Sequence, residues 1–353
     1  MGSANLVQRS PLVDLPQLHQ IVLPTPWPVG PVQVYLIEDD PLTLVDTGVH
    51  SPASWAALEA ALDFLGHDFG DLERVILTHW HGDHLGQAQR LREASGGLEV
   101  WTHVDEALWC EDFSAERDLD IEGTEALFRE AGVPGEILRA QTQMRRAWLA
   151  DDPLCRPTRV DRVLRHGDRV PFKGLELEVL HAPGHTEGHL LLHEPGSGSL
   201  LTGDHLMGNA VPFTATHYTA SCPEPSDPLG RFPRFRGLPA YLSSLRELRP
   251  RRFRTLLPAH GGILRHARRA IQQAILFYEV RIQRVERALH RIAGQHGEAT
   301  AWQVWRQVFP KADPVREMRN RMYLVIGALD LFEAQGTVTL RRRDDGSLAF
   351  RPR

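Results

Sequence analysis

Three histidines and an aspartate occur within the stretch THWHGDH, residues 78 to 84. A short apolar run precedes this stretch and predicts a strand. At the end of a strand, residues two apart point to the same side, so His79 and His81 can present imidazole nitrogens to one metal. Asp83 and His84 follow where the chain turns into a helix, and they can face a second ion. The stretch therefore predicts half of a metal site.

Four further segments place a potential ligand directly after an apolar run. These residues are His185 in LEVLHAPGHTEGH, Asp204 in SLLTGDHL, His260 in TLLPAHG and Asp46 in TLVDTG. Without Asp46, the candidate ligands comprise five histidines and two carboxylates, a set that suits two borderline divalent ions. Asp204 could bridge the two ions, because a carboxylate has two oxygens to share.

The order and spacing of these motifs resemble the complete motif set of the metallo-β-lactamase fold superfamily, over residues 20 to 265. The resemblance implies an αββα sandwich, in which two mixed β-sheets pack face to face, helices lie outside and metals bind at one edge. Predicted strands and helices also alternate, with several hairpin-like neighbours, which favours a mixed α/β fold on independent grounds.

The same resemblance implies a role for each candidate ligand. It gives two ligand sets: His79, His81 and His185 for one metal, and Asp83, His84 and His260 for the other. Asp204 would bridge the two metals, and Asp46 would orient ligands from behind them. Zinc is the default for a His/Asp site, while iron or manganese would fit the same ligands.

A two-metal site predicts its own chemistry. Two cations about 3.5–4 Å apart polarise a bridging water, lower its pKa and clamp the oxygen of the group attacked. The expected nucleophile is therefore a metal-bridging hydroxide, and no serine or cysteine is required. Asp83 is the expected proton acceptor and Asp204 the expected bridging ligand, so both are candidate catalytic residues.

The elements around these motifs suggest two domains. We expect a catalytic domain over residues 1–265, with a helical insert at 104–150 that could cap the metals. A long amphipathic helix is predicted over 263–292. Beyond Gly294, two helices and a β-hairpin make a winged-helix pattern, so a winged-helix-like C-terminal domain is expected over 266–353.

Composition limits the cellular setting and the partners. The 353 residues contain no stretch that resembles a secretory signal or a membrane span, so we expect a soluble cytoplasmic protein without membrane association. Cys110, Cys155 and Cys222 are far apart, which favours ordinary thiols over a disulfide framework or a thiolate metal site.

Charge is divided unevenly along the chain. Residues 1–230 carry 15 basic and 35 acidic side chains, whereas residues 231–353 carry 25 and 10. A basic tail that docks on an acidic body would explain this. The alternative is an arginine-rich part that holds a phosphate-bearing substrate or nucleic acid.

The substrate class stays open at this point. The layout is closest to the lactamase-β-like group with a winged-helix tail, and the metal site is glyoxalase II-like. A small ester, thioester or lactone is the favoured substrate, ahead of single-stranded RNA cut by a metal-dependent endoribonuclease and of a mononuclear iron persulfide dioxygenase. A further alternative makes the winged helix a nucleic-acid-binding or dimerisation module, with the metal domain as a ligand sensor. The chain could also form a homodimer. His217 and Tyr218, in a loop after Asp204, are candidate substrate-binding residues.

Overall fold

A computed structural model describes residues 7–9, 15–150, 155–218 and 227–353. Cys222 lies outside these residues. The chain forms two compact units, each built from three segments. The first unit comprises Met1–Ser114, Pro153–Pro212 and Glu247–Gln272, and the second unit comprises Ala115–Asp152, Phe213–Arg246 and Gln273–Arg353. The boundary expected at residue 265 stays a prediction about domains, and the compact units divide the chain differently.

Strands and helices alternate through the described residues. In chain order the strands are β1 (Val7–Arg9), β2 (Leu18–Leu23), β3 (Val32–Ile37), β4 (Thr43–Val45), β5 (Arg74–Ile76), β6 (Glu99–His103), β7 (Arg162–Leu164), β8 (Arg169–Pro171), β9 (Glu176–His181), β10 (Leu190–Glu194), β11 (Ser199–Gly203), β12 (Thr216–Tyr218), β13 (Arg234–Arg236), β14 (Thr255–Pro258), β15 (Ala299–Thr300), β16 (Val338–Arg342) and β17 (Leu348–Pro352). The helices are α1 (Pro52–Leu65), α2 (Gly82–Leu85), α3 (Ala88–Ser95), α4 (Ala107–Glu111), α5 (Phe113–Glu130), α6 (Gly135–Ala150), α7 (Gly237–Leu248), α8 (Ala267–His296), α9 (Ala301–Val308) and α10 (Met318–Ala334).

Two mixed sheets form the first unit. Strands β1 to β7 lie in sequential order in one sheet, antiparallel up to β4 and parallel from β4 to β7. The second sheet has the order β14-β11-β10-β9-β8, and within it β11 and β14 run parallel. The predicted mixed α/β arrangement is therefore confirmed.

Alternating apolar residues explain why the sheets stack. On β3, Val34 and Leu36 pack with Leu58 of α1, whereas Tyr35 and Ile37 face the second sheet and its buried strands β9 and β10. This period of two places one apolar face on each side of the strand. The two faces bury separate cores, one between the sheets and one under the helices, so the sandwich expected from the sequence is confirmed.

Local sequence also fixes the ends of α1. The Ser51 side chain accepts a hydrogen bond from the Ser54 N–H, and Pro52 occupies the first turn, where its missing N–H costs nothing. Gly66 ends the helix in the left-handed conformation, with φ 86°.

The second unit contains the insert helices α5 and α6 together with the C-terminal elements. The Thr124 hydroxyl of α5 lies 3.0 Å from the Tyr323 hydroxyl of α10, and the Ala131 carbonyl accepts the Trp302 N–H at 2.9 Å. Strands β15, β17 and β16 make a small antiparallel sheet beside α9 and α10. Both helices and the hairpin predicted beyond residue 294 are present, while their winged-helix identity stays a prediction.

Two sequence-based expectations are corrected by the structure. The long helix α8 begins at Ala267 and not at residue 263, and Thr216–Tyr218 is a strand and not a loop. Within the described residues, none of the helices is both long enough and apolar enough to span a bilayer.

Candidate metal centre

One group of candidate ligands combines three histidines with Asp204. The Nδ1 atom of His81 lies 3.0 Å from Nε2 of His79 and 3.0 Å from Nε2 of His185. The Oδ2 atom of Asp204 lies 3.5 Å from the same His185 nitrogen. His79 and His81 lie after the end of β5, in the turn before α2, so a turn and not a strand face brings them together. One ligand atom from each of the four residues falls within 4.8 Å of the others.

The second group comprises Asp83, His84 and His260. Nε2 of His260 lies 3.1 Å from Oδ2 of Asp83, and Nε2 of His84 lies 3.7 Å from Oδ1 of Asp83. Oδ1 of Asp204 lies 3.6 Å from His260 and 3.7 Å from His84. Asp204 therefore directs one oxygen toward each group.

The fit of a divalent cation is supported by two buried atoms that lack partners. Nε2 of His84 and Oδ1 of Asp204 make no hydrogen bond to any residue that the structure describes. An unsatisfied buried polar atom is costly, and most such atoms in folded proteins have a partner. Imidazole nitrogens and carboxylate oxygens are ligands for borderline divalent ions, so a metal would satisfy both atoms.

The electrostatics of the second group also favour a cation. Burial alone would lower the pKa of His84, but the carboxylates of Asp46, Asp83 and Asp204 raise it to about 10. Burial would raise the pKa of Asp83, yet His84 and His260 lower it, so the carboxylate is ionised. Three carboxylates thus create a negative potential around His84, and a metal ion would balance it.

Comparison with known proteins identifies the fold family. A profile of the Metallo-beta-lactamase superfamily matches residues 27–260. The chain belongs to the metallo-beta-lactamase superfamily. The probable metallo-hydrolase YqjP of Bacillus subtilis (strain 168) is 31% identical over 320 residues, which cover 90% of this chain and 93% of that protein. The predicted class of metal-dependent hydrolase is thereby confirmed.

Two further similarities concern the fold and a local region. The crystal structure of a metallo-beta-lactamase family protein from Thermus thermophilus matches with a TM-score of 0.71 and 26% identity, over 96% of this chain and 99% of that one. A hydroxyacylglutathione hydrolase of Cereibacter sphaeroides (strain ATCC 17025 / ATH 2.4.3) is 30% identical over 136 residues, which cover 38% of this chain and 34% of that protein.

Asp46 lies behind the second group, where the superfamily resemblance places an orienting carboxylate. Its Oδ2 lies 2.8 Å from Nδ1 of His84, and its Oδ1 accepts the Thr78 N–H at 2.8 Å. Asp46 has φ 60°, a left-handed backbone conformation that costs a non-glycine residue free energy. The other buried histidine of this group, His260, donates Nδ1–H to the Pro31 carbonyl at 3.0 Å, which directs its Nε2 toward Asp83 and Asp204.

His189 supports the first group from behind. Its Nε2 accepts the backbone N–H of Asp204 at 3.1 Å, and its ring stacks on His79 with centroids 4.8 Å apart. Burial and neighbouring histidines lower the pKa of His189, which keeps the ring neutral and able to accept. Gly203 has φ 47°, and a Cβ atom there would lie 2.9 Å from the His189 ring, so the close approach requires glycine.

Glu106 is a buried carboxylate that the sequence analysis did not single out. Its Oε2 accepts the Trp80 N–H at 2.8 Å, and its Oε1 accepts the Thr186 hydroxyl at 2.8 Å and the Gly188 N–H at 2.6 Å. Trp80 lies between His79 and His81, while Thr186 follows His185 directly. Glu106 therefore joins the two loops that supply the histidines of the first group.

The substrate residues suggested by the sequence lie in the second unit, whereas every candidate ligand lies in the first. His217 and Tyr218 belong to β12, which pairs with β13, and the Tyr218 hydroxyl donates to Glu130 at 2.8 Å. Their role in substrate binding stays a prediction. A third group, His103, Asp105 and His181, also has clustered ligand atoms, but its two imidazole rings are stacked 4.2 Å apart at 12°. Parallel rings do not direct their nitrogens toward one ion.

Proposed function

We propose that this chain is a dinuclear metal-dependent hydrolase that acts on a small ester, thioester or lactone. The observation that carries the proposal is the placement of Asp204. Its Oδ2 lies 3.5 Å from His185 of the first group, and its Oδ1 lies 3.6 Å from His260 of the second. One carboxylate between two sets of nitrogen ligands is the arrangement that a bridged pair of metals requires.

When bound, two divalent ions would supply Lewis acidity and a bridging hydroxide near neutral pH. We assign proton transfer to the Asp83 carboxylate, because His84 and His260 keep it ionised although burial alone would raise its pKa. Nε2 of His260 lies 3.1 Å from Oδ2 of Asp83, so both atoms would face the same ion. Asp46 fixes the ring orientation of His84 from the opposite side.

The substrate class rests on two supports. Hydroxyacylglutathione hydrolases, named for a thioester substrate, are among the relatives that match part of this chain. Residues 1–230 carry 35 acidic and 15 basic side chains. This excess of negative charge would repel a polyanionic substrate from that part of the chain. Zinc is our proposed metal, and the same ligands suit iron or manganese.

Cleavage of single-stranded RNA is the second candidate, and one observation favours it. Residues 231–353 carry 25 basic and 10 acidic side chains, enough positive charge to attract a polyanion. A mononuclear iron dioxygenase is less well supported, because the buried group of Asp83, His84 and His260 would then bind no metal.

A metal-quantified activity panel tests the proposal. We would load the purified chain with zinc, iron or manganese and assay thioesters, lactones, p-nitrophenyl esters, bis-phosphodiesters and single-stranded RNA. We expect ester or thioester turnover that requires two metals per chain. RNA cleavage without ester turnover would reverse the ranking, and wild-type turnover by Asp83→Ala or Asp204→Ala would overturn the dinuclear assignment.

A further inference from the structure

A groove in the first unit is lined largely by arginines. Its volume is about 580 Å³, and we call it the arginine groove. Its lining residues are Arg249, Pro250, Arg251, Arg252, Phe253 and Arg268. Volumes of about 300–1,000 Å³ are typical of small-ligand sites, so the groove can hold a compact molecule.

The groove has little negative charge to balance its guanidinium groups. Residues 249–269 contain seven arginines and no acidic residue. Arg251 is neutralised by Glu178, whose two carboxylate oxygens each lie 2.7 Å from one Arg251 nitrogen. Arg249, Arg252 and Arg268 are exposed, and none of them forms an ion pair within the described part of the chain. Three unpaired guanidinium groups around one groove repel one another and attract an anion.

The groove is separated from the metal centre by the length of one strand. Residues 249–254 immediately precede β14, and His260 follows the other end of that strand. A strand of four residues spans roughly 13 Å at about 3.3 Å per residue. A group held in the groove is therefore distinct from a group cleaved at the metals.

We propose that the arginine groove binds the diphosphate group of a small ligand. The planar fork of a guanidinium group matches phosphate oxygens in pairs, and arginine is the usual residue for such recognition. Three free guanidinium groups suit the two to three negative charges of a diphosphate. An RNA backbone offers phosphates of the same chemistry, but they are spaced along a strand, whereas three guanidinium groups around one groove favour two adjacent phosphates.

Calorimetric titration of the metal-loaded chain with inorganic diphosphate, ADP and a short single-stranded RNA tests the proposal. We expect both diphosphate ligands to bind the wild type. The double variant Arg252→Glu, Arg268→Glu should weaken their binding about 10-fold or more, because two charge-assisted hydrogen bonds are lost and two repulsions are added. Ester turnover should be unchanged in this variant, since neither arginine contacts a metal ligand.

A second double variant, Arg287→Glu, Arg291→Glu, changes the net charge equally at exposed positions of α8 outside the groove. We expect it to bind diphosphate as the wild type does. Equal binding by the wild type and by the groove variant would overturn the proposal, since diphosphate would then bind at the metals or elsewhere. Groove-dependent binding of RNA without binding of diphosphate or ADP would also overturn it.

Discussion

Oδ1 of Asp204 and Nε2 of His84 lie 3.7 Å apart, both are buried, and neither has a hydrogen-bond partner among the described residues. Two such atoms facing each other would be costly in a core that had no use for them. The other ring nitrogen of His84 is satisfied, since Nδ1 lies 2.8 Å from Oδ2 of Asp46. The geometry is that of a ligand pair which needs a cation to complete it.

Replacement of Asp204 by asparagine should therefore remove metal. The amide cannot share two anionic oxygens, so we expect the metal content to fall from two ions to at most one per chain. Bound metal stabilises a fold by RT ln(1 + [L]/Kd), about 4 kcal/mol at 1,000 times Kd, so the stabilisation by added zinc should also shrink. Elemental analysis and melting temperatures with and without chelator measure both effects.

Asp105→Asn is the matched control for this experiment. Asp105 belongs to the third histidine-containing group, whose stacked rings do not suit one ion. We expect this variant to keep both metals. Loss of a metal from Asp105→Asn, together with full loading of Asp204→Asn, would contradict the assignment of the centre.

The candidate ligands could be predicted because they occur in short motifs directly after apolar strands. The carboxyl ends of parallel strands share one edge of a sheet, so Asp204 and His260 meet once β11 and β14 pair. The predicted strand face for His79 and His81 was wrong in detail, because β5 ends at Ile76 and a turn follows. Motif spacing indicates which residues meet, but not the backbone conformation that brings them together.

Glu106 could not be predicted as a supporting residue, because its partners are distant in sequence. Glu106 contacts Trp80, 26 residues earlier, and Gly188, 82 residues later. Nothing near Glu106 distinguishes it from the other acidic residues of that segment. The grouping of the insert helices with the C-terminal elements could not be predicted for the same reason, since Thr124 and Tyr323 are in contact although 199 residues separate them.

Glu106→Gln should weaken metal binding by the first group. An amide NH2 would face the Trp80 N–H or the Gly188 N–H, and two donors cannot bond to each other. Loss of a buried partner that orients metal ligands lowers metal affinity by about 10–100-fold, and we expect a change of that size. Competition with a chromophoric chelator gives the affinity, and the absorption spectrum of the cobalt-substituted protein reports the geometry of the ligands.

Asp161→Asn controls for the loss of a carboxylate that binds backbone. Asp161 accepts the Val100 N–H at 2.9 Å and pairs with Arg92, but it contacts neither loop that carries the histidines. The metal affinity of the Asp161→Asn variant should equal that of the wild type. Equal affinities for Glu106→Gln and the wild type would show that Glu106 does not position the ligands.

His103 should make the fold sensitive to acid. Burial, together with repulsion from His181 and Arg165, lowers the pKa of His103 to about 3, below the unfolded value near 6.5. A histidine with a depressed pKa contributes its full stability above the unfolded pKa and loses it as the pH falls toward the folded pKa. Between about pH 7.5 and about pH 5.5, the free energy of unfolding should therefore fall by about 1.4 kcal/mol because of His103.

Urea unfolding in the presence of chelator at the two pH values measures this loss. From the higher to the lower pH, the free energy of unfolding of His103→Asn should fall by about 1.4 kcal/mol less than that of the wild type. His290→Asn, at an exposed position of α8, should behave as the wild type does. An unchanged loss in His103→Asn would show that the ring is not kept neutral by the fold.

The second unit should depend on a buried ionic cluster around Asp120. The Asp120 side chain is only 8% exposed and accepts hydrogen bonds from Arg145 of α6 and from Arg319 of α10, the latter at 3.3 Å. Burial alone would raise the pKa of Asp120, but these arginines lower it, so the carboxylate stays charged. Its removal would leave two guanidinium groups facing each other without an anion, which typically costs about 3–5 kcal/mol.

Asp120→Ala should therefore increase amide hydrogen exchange in peptides from α5, α6 and α10, as followed by mass spectrometry. Asp118→Ala is the matched control, because Asp118 lies on the same helix and is 64% exposed, and its one ion pair among the described residues is with its neighbour Arg117. An exposed pair of this kind contributes at most about 1 kcal/mol, so exchange should stay close to that of the wild type. Equal protection in the two variants would mean that α5 is held to α10 by apolar contacts and not by the Asp120 cluster.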